Sequence, residues 1–308
     1  WLETYVKPKL SPTSYDGYRI NIEKHIIPTL GTIYVQQLRE EDILNLYSKL
    51  MLEGRRDGKG GLSAKSVLYV HRNLKEALQH AKIKKVIERN PAEHLQAPKP
   101  KKYKTKIYLK GELKELYVNA KGTELEVPVA LAIELGLRRG ELLGLQWADV
   151  DFENRTININ NNLVRTIKGI VLRTPKTDSG SRSLVISESL VEILRAHFRR
   201  QGEIKVKLGE HYKDHDLVCC NADGTPANPV WFSRKFAKFL SKHGLKKIRF
   251  HDLRHSNATL MLKNGIPAKV ASQRLGHSSI GITLDLYSHV MNEMQQDAVD
   301  KIEKDIYE

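Results

Sequence analysis

The stretch "HDLRHS" (251–256) places two imidazoles, one guanidinium and one carboxylate within six residues. It follows an apolar run ending at Phe250 and opens a helical pattern, "HDLRHSNATLMLKNG", that Gly265 and Pro267 stop. Asp252 suits the first turn, where a helix favours negative charge. Residues i and i+3 share a face, and side chains lean toward the N-terminus. His251 and Arg254 are therefore expected to converge just ahead of the helix, beside free backbone N–H groups. A phosphate suits such a place. Two other readings compete. His251 and His255 have the spacing of a helical zinc pair, but Asp252 stands where that pattern has glutamate. No Cys or Glu cluster offers a third ligand, and Arg254 would repel a dication. A helix start without chemistry is the plainest reading of six residues taken alone.

The rest of the chain adds candidates at a distance. "LGLRRGELLGL" (135–145) sets Arg138 and Arg139 between glycines with apolar flanks, and Glu141 follows closely. "RLGHSS" (274–279) puts His277 after a glycine that ends a short helix. "DLYSHV" (285–290) supplies Tyr287. "LRTPKTDSGSRSLVIS" (172–187) reads as a hairpin with Lys176 near its turn. Singly, these fit a surface arginine, a core histidine, a packing tyrosine and a turn lysine.

Residues 98–106, "PKPKKYKTK", hold two prolines and five lysines. Proline stops a helix and like charges repel, so this is an extended basic linker, able to lie along a DNA backbone through Lys99, Lys101 and Lys102. It divides residues 1–97 from 107–308. The first part reads as four or five helices without a strand. Ser11-Pro12 opens one that Pro28 and Gly31 end, "REEDILNLYSKLML" (39–52) is another, and Ser63 caps a long one through Ile83. "RNPAEHL" (89–95) stops a further short helix at Pro91. Lys65 and Arg72 share a face of the long helix, as a solvated stripe or a DNA-facing one. The second part mixes helices (108–120, 127–136) with three β-branched runs, "RTININ" (155–160), "GIVLRT" (169–174) and "RSLVIS" (182–187), expected to form one small antiparallel sheet. "WFSRKFAKFLSKHG" (231–244) is a basic helix whose Arg234, Lys235 and Lys238 face either solvent or DNA. The fold class is mainly α with a small antiparallel β-sheet. No phosphate loop or dinucleotide fingerprint occurs, so a nucleotide cofactor has no obvious seat.

The bulk numbers agree with a nucleic-acid partner. The 308 residues carry a net charge of +15, of which residues 1–106 hold +10, with 21 Lys+Arg against 11 Asp+Glu. An excess of this size suits a polyanion. No apolar run is long enough to cross a membrane. The only cysteines, Cys219 and Cys220, are neighbours in "HDLVCCN" (215–221), the expected end of a buried strand. That leaves no disulfide framework and suits a reducing, cytoplasmic setting. The chain starts at Trp1 without methionine and is read as a fragment.

Taken together and in order, "GLRRGE", "HDLRH", "LGHSS" and Tyr287 make the chain resemble the tyrosine recombinases, the family of phage and conjugative-transposon integrases. "YRINIEKHIIPTLG" (18–31) and "RNPAEHL" extend the likeness into the helical part, from about residue 1 to about residue 290. The resemblance implies a two-domain C-shaped clamp on DNA: a helical core-binding domain and a mixed α/β catalytic domain. Arg138 and Arg254 match the two arginines that clamp the scissile phosphate, His251 the histidine of the H-x-x-R box, and His277 the last phosphate-contacting position. Tyr287 matches the nucleophile, Lys176 the hairpin lysine that protonates the leaving oxygen, and Glu141 a supporting acid. His255 becomes a secondary residue beside the site. Leu135 departs from the family's usual threonine, a change expected to alter packing and not chemistry.

The implied activity is site-specific recombination by an integrating mobile element, through a 3′-phosphotyrosine and a Holliday junction, without metal or organic cofactor. Expected partners are duplex DNA, a second protomer at each site, a tetramer in synapsis, and accessory proteins that set direction. The amphipathic segment after Tyr287 is expected to dock on a neighbouring protomer. A chromosome-dimer resolvase with the same chemistry, or a DNA-binding protein without cleavage, are the alternatives. The missing start favours the mobile-element reading, because such integrases often carry an upstream arm-site domain.

Overall fold

A computed structural model describes residues 1–101, 105–167, 169–174, 181–277, 279–287 and 303, leaving out the side chains of 285–287. The chain divides into two compact units, Trp1–Lys104 and Thr105–Glu308.

The first unit is helical. After a short turn at Leu2–Val6 come α1 (Pro12–Asn21), a π-helical turn (Ile22–Ile26) and α2 (Ile27–Leu30), which together make one nearly continuous rod. Two longer helices follow, α3 (Glu40–Glu53) and α4 (Ala64–Ile83). Ser63 accepts from the Ser66 N–H at 3.2 Å and so satisfies one of α4's unpaired first-turn donors. Ile43, Leu46, Tyr47 and Leu50 recur at helical spacing along α3, and Val67, Val70, Leu74 and Leu78 along α4. These two stripes form the core, with Ile26 and Leu30 closing it. The short helix expected before Pro91 is absent. Residues 84–97 are turns, and Lys85 takes a left-handed conformation (φ 57°) that ends α4's path.

The second unit surrounds a helix that is buried along most of its length. Its helices α5 (Lys110–Ala120), α6 (Glu126–Leu135) and α7 (Arg139–Leu143) precede the strands. Val127, Val129, Leu131 and Leu135 of α6 are all buried, as a central helix requires. Leu135, where the family often has threonine, is fully enclosed.

The strands are β1 (Val150–Asp151), β2 (Thr156–Ile159), β3 (Asn162–Thr166), β4 (Gly169–Arg173) and β5 (Arg182–Val185). They form two sheets, not the single expected one. β1-β2-β5 is antiparallel, with Ile157 opposite Leu184, and β3-β4 is a separate hairpin, with Leu163 opposite Leu172. Among the described residues the two ends of the expected hairpin over 172–187 pair with other strands and not with each other. β4 turns back on β3, a strand whose short polar start at Asn160–Asn162 hid it, while β5 crosses to β2.

After the sheets come α8 (Glu188–Leu208), α9 (Pro229–Lys242), α10 (Asp252–Lys263), α11 (Ala268–Leu275) and α12 (Ile280–Tyr287). "HDLVCCN" makes isolated bridges at Leu217 and Cys220 instead of a strand, and Cys219 is buried in the core. α10 lies on α6, and its Leu253, Ala258 and Leu262 are fully buried. Its Asn257 donates to the carbonyls of Ile133 (2.7 Å) and Glu134 (3.1 Å), so α10 caps the C-terminal end of α6. Among the described residues no helix is long and apolar enough to cross a membrane.

Candidate active site

Three loop-helix junctions build the site: the turn after α6, the start of α10 and the turn after α11. Both turns are left-handed at a glycine, Gly136 (φ 60°) and Gly276 (φ 65°). A Cβ on Gly136 would lie 2.5 Å from Leu275 Cδ2 and 2.9 Å from Asn257 Oδ1, so glycine also permits the close approach of the elements here.

Arg254 is 2% exposed. It does not reach toward the start of its own helix, as the sequence had suggested. Its Nη1 donates to Gly136 O at 2.9 Å, its Nη2 to Leu275 O, and its Nε to His277 Nε2 at 3.2 Å. The helix start offers no empty donors either. The N–H groups of Asp252, Leu253 and Arg254 are spent on the carbonyls of Arg249, Phe250 and His251 in a tight turn. Asp252 is fully buried and accepts from the Arg249 backbone (2.8 Å) and side chain. The anion seat expected at the helix N-terminus is thus replaced by a guanidinium laid between α6 and α11.

Arg138 caps α7. Its backbone N–H donates to Glu141 at 3.0 Å, while its side chain donates to Glu141 and to Gly276 O. The adjacent Arg139 turns elsewhere, to Ser233 on α9 at 2.7 Å. Of the two neighbouring arginines, only Arg138 joins Arg254. Glu141 also receives Arg182, a residue the sequence reading did not select. Arg182 Nη2 lies 3.0 Å from Glu141 Oε2, and its Nε donates to Arg274 O at 2.8 Å. Three successive carbonyls at the end of α11, those of Arg274, Leu275 and Gly276, therefore hold Arg182, Arg254 and Arg138 in turn. Helix C-termini carry partial negative charge, which favours cations placed there.

Among these groups three guanidiniums meet one carboxylate. Burial opposes ionisation of Glu141, but Arg182 and then Arg138 outweigh it and hold the carboxyl below its ordinary range. Burial, then the charge of Arg138, pulls Arg254 down to about 9, which leaves it cationic at neutral pH. The result is an excess of positive charge in which Arg182 and Arg254 are buried and Arg138 is partly open to solvent, suited to an anion that gains charge as it reacts.

Glu141→Gln is expected to cost about 3 kcal/mol in urea unfolding, because it leaves Arg182 with half a buried ion pair. Since the folded carboxyl is the more acidic, this contribution is present above the unfolded value near 4.3 and fades as pH falls through the lower folded one.

The site histidines His251 and His277 are neutral at pH 7. Burial, followed by Arg254 and Arg138, lowers His277 to about 4. His251, the N-cap residue of α10, keeps an exposed edge. Burial of its ring and the neighbouring His255 and Arg254 still push it downward. The His251 and His255 rings meet edge to face, with centroids 5.2 Å apart. Among the described residues no third His, Cys, Asp or Glu joins them as a potential metal ligand. His277 Nε2 accepts from Arg254, and its Nδ1 bonds Thr283 Oγ1 at 2.8 Å.

The structure therefore brings Arg138, Glu141, Arg254 and His277 together, with His251 and His255 at the adjoining helix start. Tyr287 ends α12, which leaves from the turn after His277. Lys176 and Lys102 lie outside the described residues, as do residues 288–302 and 304–308 of the segment following Tyr287. Lys65 and Arg72 are exposed on α4 with Tyr69 between them, the Arg72 guanidinium 5.8 Å from its ring centre. Lys99, Lys101, Arg234, Lys235 and Lys238 are exposed, although Lys235 pairs with Glu124. Arg182 and Thr283 carried no legible signal: one opens a strand and the other is a threonine within an apolar helix.

A helical unit and a mixed unit of this build in one chain, with paired arginines ahead of a tyrosine-bearing helix, define the class of the tyrosine recombinases. The comparisons narrow it. The model of the Phage integrase family matches residues 106–294, and that of the phage integrase N-terminal SAM-like domain matches residues 1–51. The chain belongs to the phage integrase family. It is 28% identical to a XerC-like tyrosine recombinase of Caldanaerobacter subterraneus subsp. tengcongensis, over 98% of this chain and 80% of the relative. The ICEBs1 integrase of Bacillus subtilis is 28% identical over 95% of this chain and 78% of its own length. The fold matches the Tn1549 transposon integrase bound to transposon right end DNA, with a TM-score of 0.77 at 21% identity over 96% of this chain and 99% of that one. A lambda integrase tetramer on a Holliday junction matches with a TM-score of 0.63 at 20% identity over 92% and 74%.

Proposed function

We propose that this protein is the site-specific DNA recombinase of an integrating mobile element, and that Arg138 and Arg254 clamp the scissile phosphate. The observation that carries this is the pair of guanidiniums held side by side by the last carbonyls of α11, one turn ahead of the helix that ends in Tyr287. Forked arginines match the non-bridging oxygens of a phosphodiester. A phenol is a weak nucleophile at its ordinary pKa near 10, so Tyr287 needs a base, and His251, neutral at pH 7, is the candidate. The Tyr287 oxygen forms a bond to phosphorus as the bond to the 5′ oxygen breaks. The phenolic proton passes to His251, and Lys176 protonates the departing oxygen. The 3′-phosphotyrosine conserves the ester for attack by a second strand, so no nucleotide or metal enters the balance.

Two such exchanges, through a four-way junction, recombine two duplexes. The working assembly is a dimer on each site and a tetramer in synapsis, with the segment after Tyr287 docked on the neighbouring protomer and accessory proteins setting direction. The setting is the bacterial cytoplasm, at the nucleoid. Residues 1–97 grip duplex DNA from their basic helix, and Lys99, Lys101 and Lys102 follow the backbone between the units. Arg234, Lys235 and Lys238 make a second basic contact. Lys65→Ala and Arg72→Ala should each flatten the slope of log K against log salt by about 0.9, measured by equilibrium binding across a salt series.

The test of the whole reading is a nicked suicide duplex carrying the element's own site, incubated with the protein in EDTA. A covalent protein–DNA adduct on a denaturing gel is expected. Loss of the adduct to the chelator would return a metal to consideration. Tight binding without any adduct would favour a non-cleaving DNA-binding protein.

A further inference from the structure

Thr283 is fully buried on α12, a helix whose neighbouring Ile282 and Leu284 are exposed. Its hydroxyl meets His277 Nδ1 at 2.8 Å, and the other ring nitrogen, Nε2, meets Arg254 Nε at 3.2 Å. The protons on this chain of three residues can be assigned from chemistry alone. A guanidinium Nε–H only donates, so His277 Nε2 must be the bare nitrogen. In a neutral imidazole the proton then sits on Nδ1, where the Thr283 oxygen accepts it. The opposite tautomer would set two N–H donors against each other at Arg254.

We propose that Thr283 is a positioning residue for strand cleavage: by taking the Nδ1 proton of His277 it presents a bare Nε2 to Arg254 and fixes the plane of that guanidinium. Arg254 has five N–H donors. Gly136 O, Leu275 O and His277 occupy one on each nitrogen, which leaves one on Nη1 and one on Nη2. That pair is what a phosphate would meet, and its direction depends on all three anchors. The Nη anchors are main-chain carbonyls. The Nε anchor is a side chain, and Thr283 decides which way its lone pair points. The inference rests on the reading of Arg254 as a phosphate clamp.

The test separates the hydroxyl from the shape of the side chain. Thr283→Val keeps the shape and loses the oxygen, while Thr283→Ser keeps the oxygen and loses the methyl. In the full chain, single-turnover adduct formation on the nicked duplex should fall about tenfold in Thr283→Val and stay within about threefold in Thr283→Ser. Long-range ¹H–¹⁵N spectra, with the His277 ring assigned through His277→Asn, should show the Nδ1–H form in the wild type and the serine variant. They should show a shifted or mixed population in the valine variant.

Valine cleaving like wild type would overturn the proposal. So would serine falling as far as valine, or an Nε2–H ring in the wild type. Should Thr283→Val not fold, the wild-type spectrum and the serine rate still decide. A wild type that forms no adduct would count against the reading of the site. The ring spectrum would then still judge the link between Thr283 and His277.

Discussion

Tyr287→Phe is expected to abolish the covalent adduct entirely while duplex affinity stays within about twofold of wild type. Phenylalanine keeps the ring at the end of α12 and removes only the oxygen that would attack phosphorus. A serine or threonine hydroxyl would need its own base, and the bare nitrogen of His277 is engaged by Arg254. The readout is a denaturing gel for the adduct, beside a gel shift for binding. An adduct that survives in the variant moves the nucleophile to another residue and takes α12 out of the chemistry. A loss of binding parallel to the loss of adduct would instead make Tyr287 a structural residue.

Arg254→Lys should slow adduct formation about a hundred- to a thousand-fold, the usual effect of removing a preorganised donor from the charge that develops in a transition state. The same change should also destabilise the fold. Arg254 satisfies Gly136 O and Leu275 O in a dry setting, and a lysine ammonium on a flexible stem cannot serve both carbonyls and His277 at once. Each buried carbonyl left unpaired costs about 1–3 kcal/mol. Arg138→Lys makes the contrast. Its side chain is 39% exposed, so the rate should fall by a comparable factor with a smaller change in urea midpoint. Equal midpoints and unequal rates for the two variants would mean that the carbonyl contacts of Arg254 carry no stability. Unchanged rates in both would remove the arginines from the reaction.

Much of this was legible in the sequence, and what was missed has physical reasons. The long helices were visible because α3 and α4 repeat their apolar residues at 3.6 spacing and Ser63 announces a cap. Arg138, His251, Arg254, His277 and Tyr287 stood out only together, through the resemblance of their motifs, in that order, to those of the tyrosine recombinases. The direction in which Arg254 runs did not. Helix geometry alone aims it at its own N-terminus, and the pull of one carbonyl more than a hundred residues upstream, at Gly136, cannot be read from local sequence. Arg182 failed for the same reason. It looks like an ordinary strand-opening cation until β5 crosses to β2 and lowers it onto Glu141. The two-sheet arrangement was missed because β3 begins among asparagines, residues that usually mark a turn. "HDLVCCN" was apolar for the core, not for a strand.

The carbonyls of Arg274, Leu275 and Gly276 have a consequence for how this enzyme can be dissected and how it can vary. Beside Glu141 and His277, part of what grips the three arginines is peptide oxygen, which no side chain specifies. Side chains at 274 and 275 are free to drift, so far as the grip is concerned, while the left-handed turn at Gly276 must keep its shape. Alanine scanning there reports packing at Leu275 and the Arg274 contact with Val185 O, and passes over the atoms that matter. An amide-to-ester replacement, which weakens a single carbonyl as an acceptor, would detect them. That part of the site is in this sense invisible to its own gene.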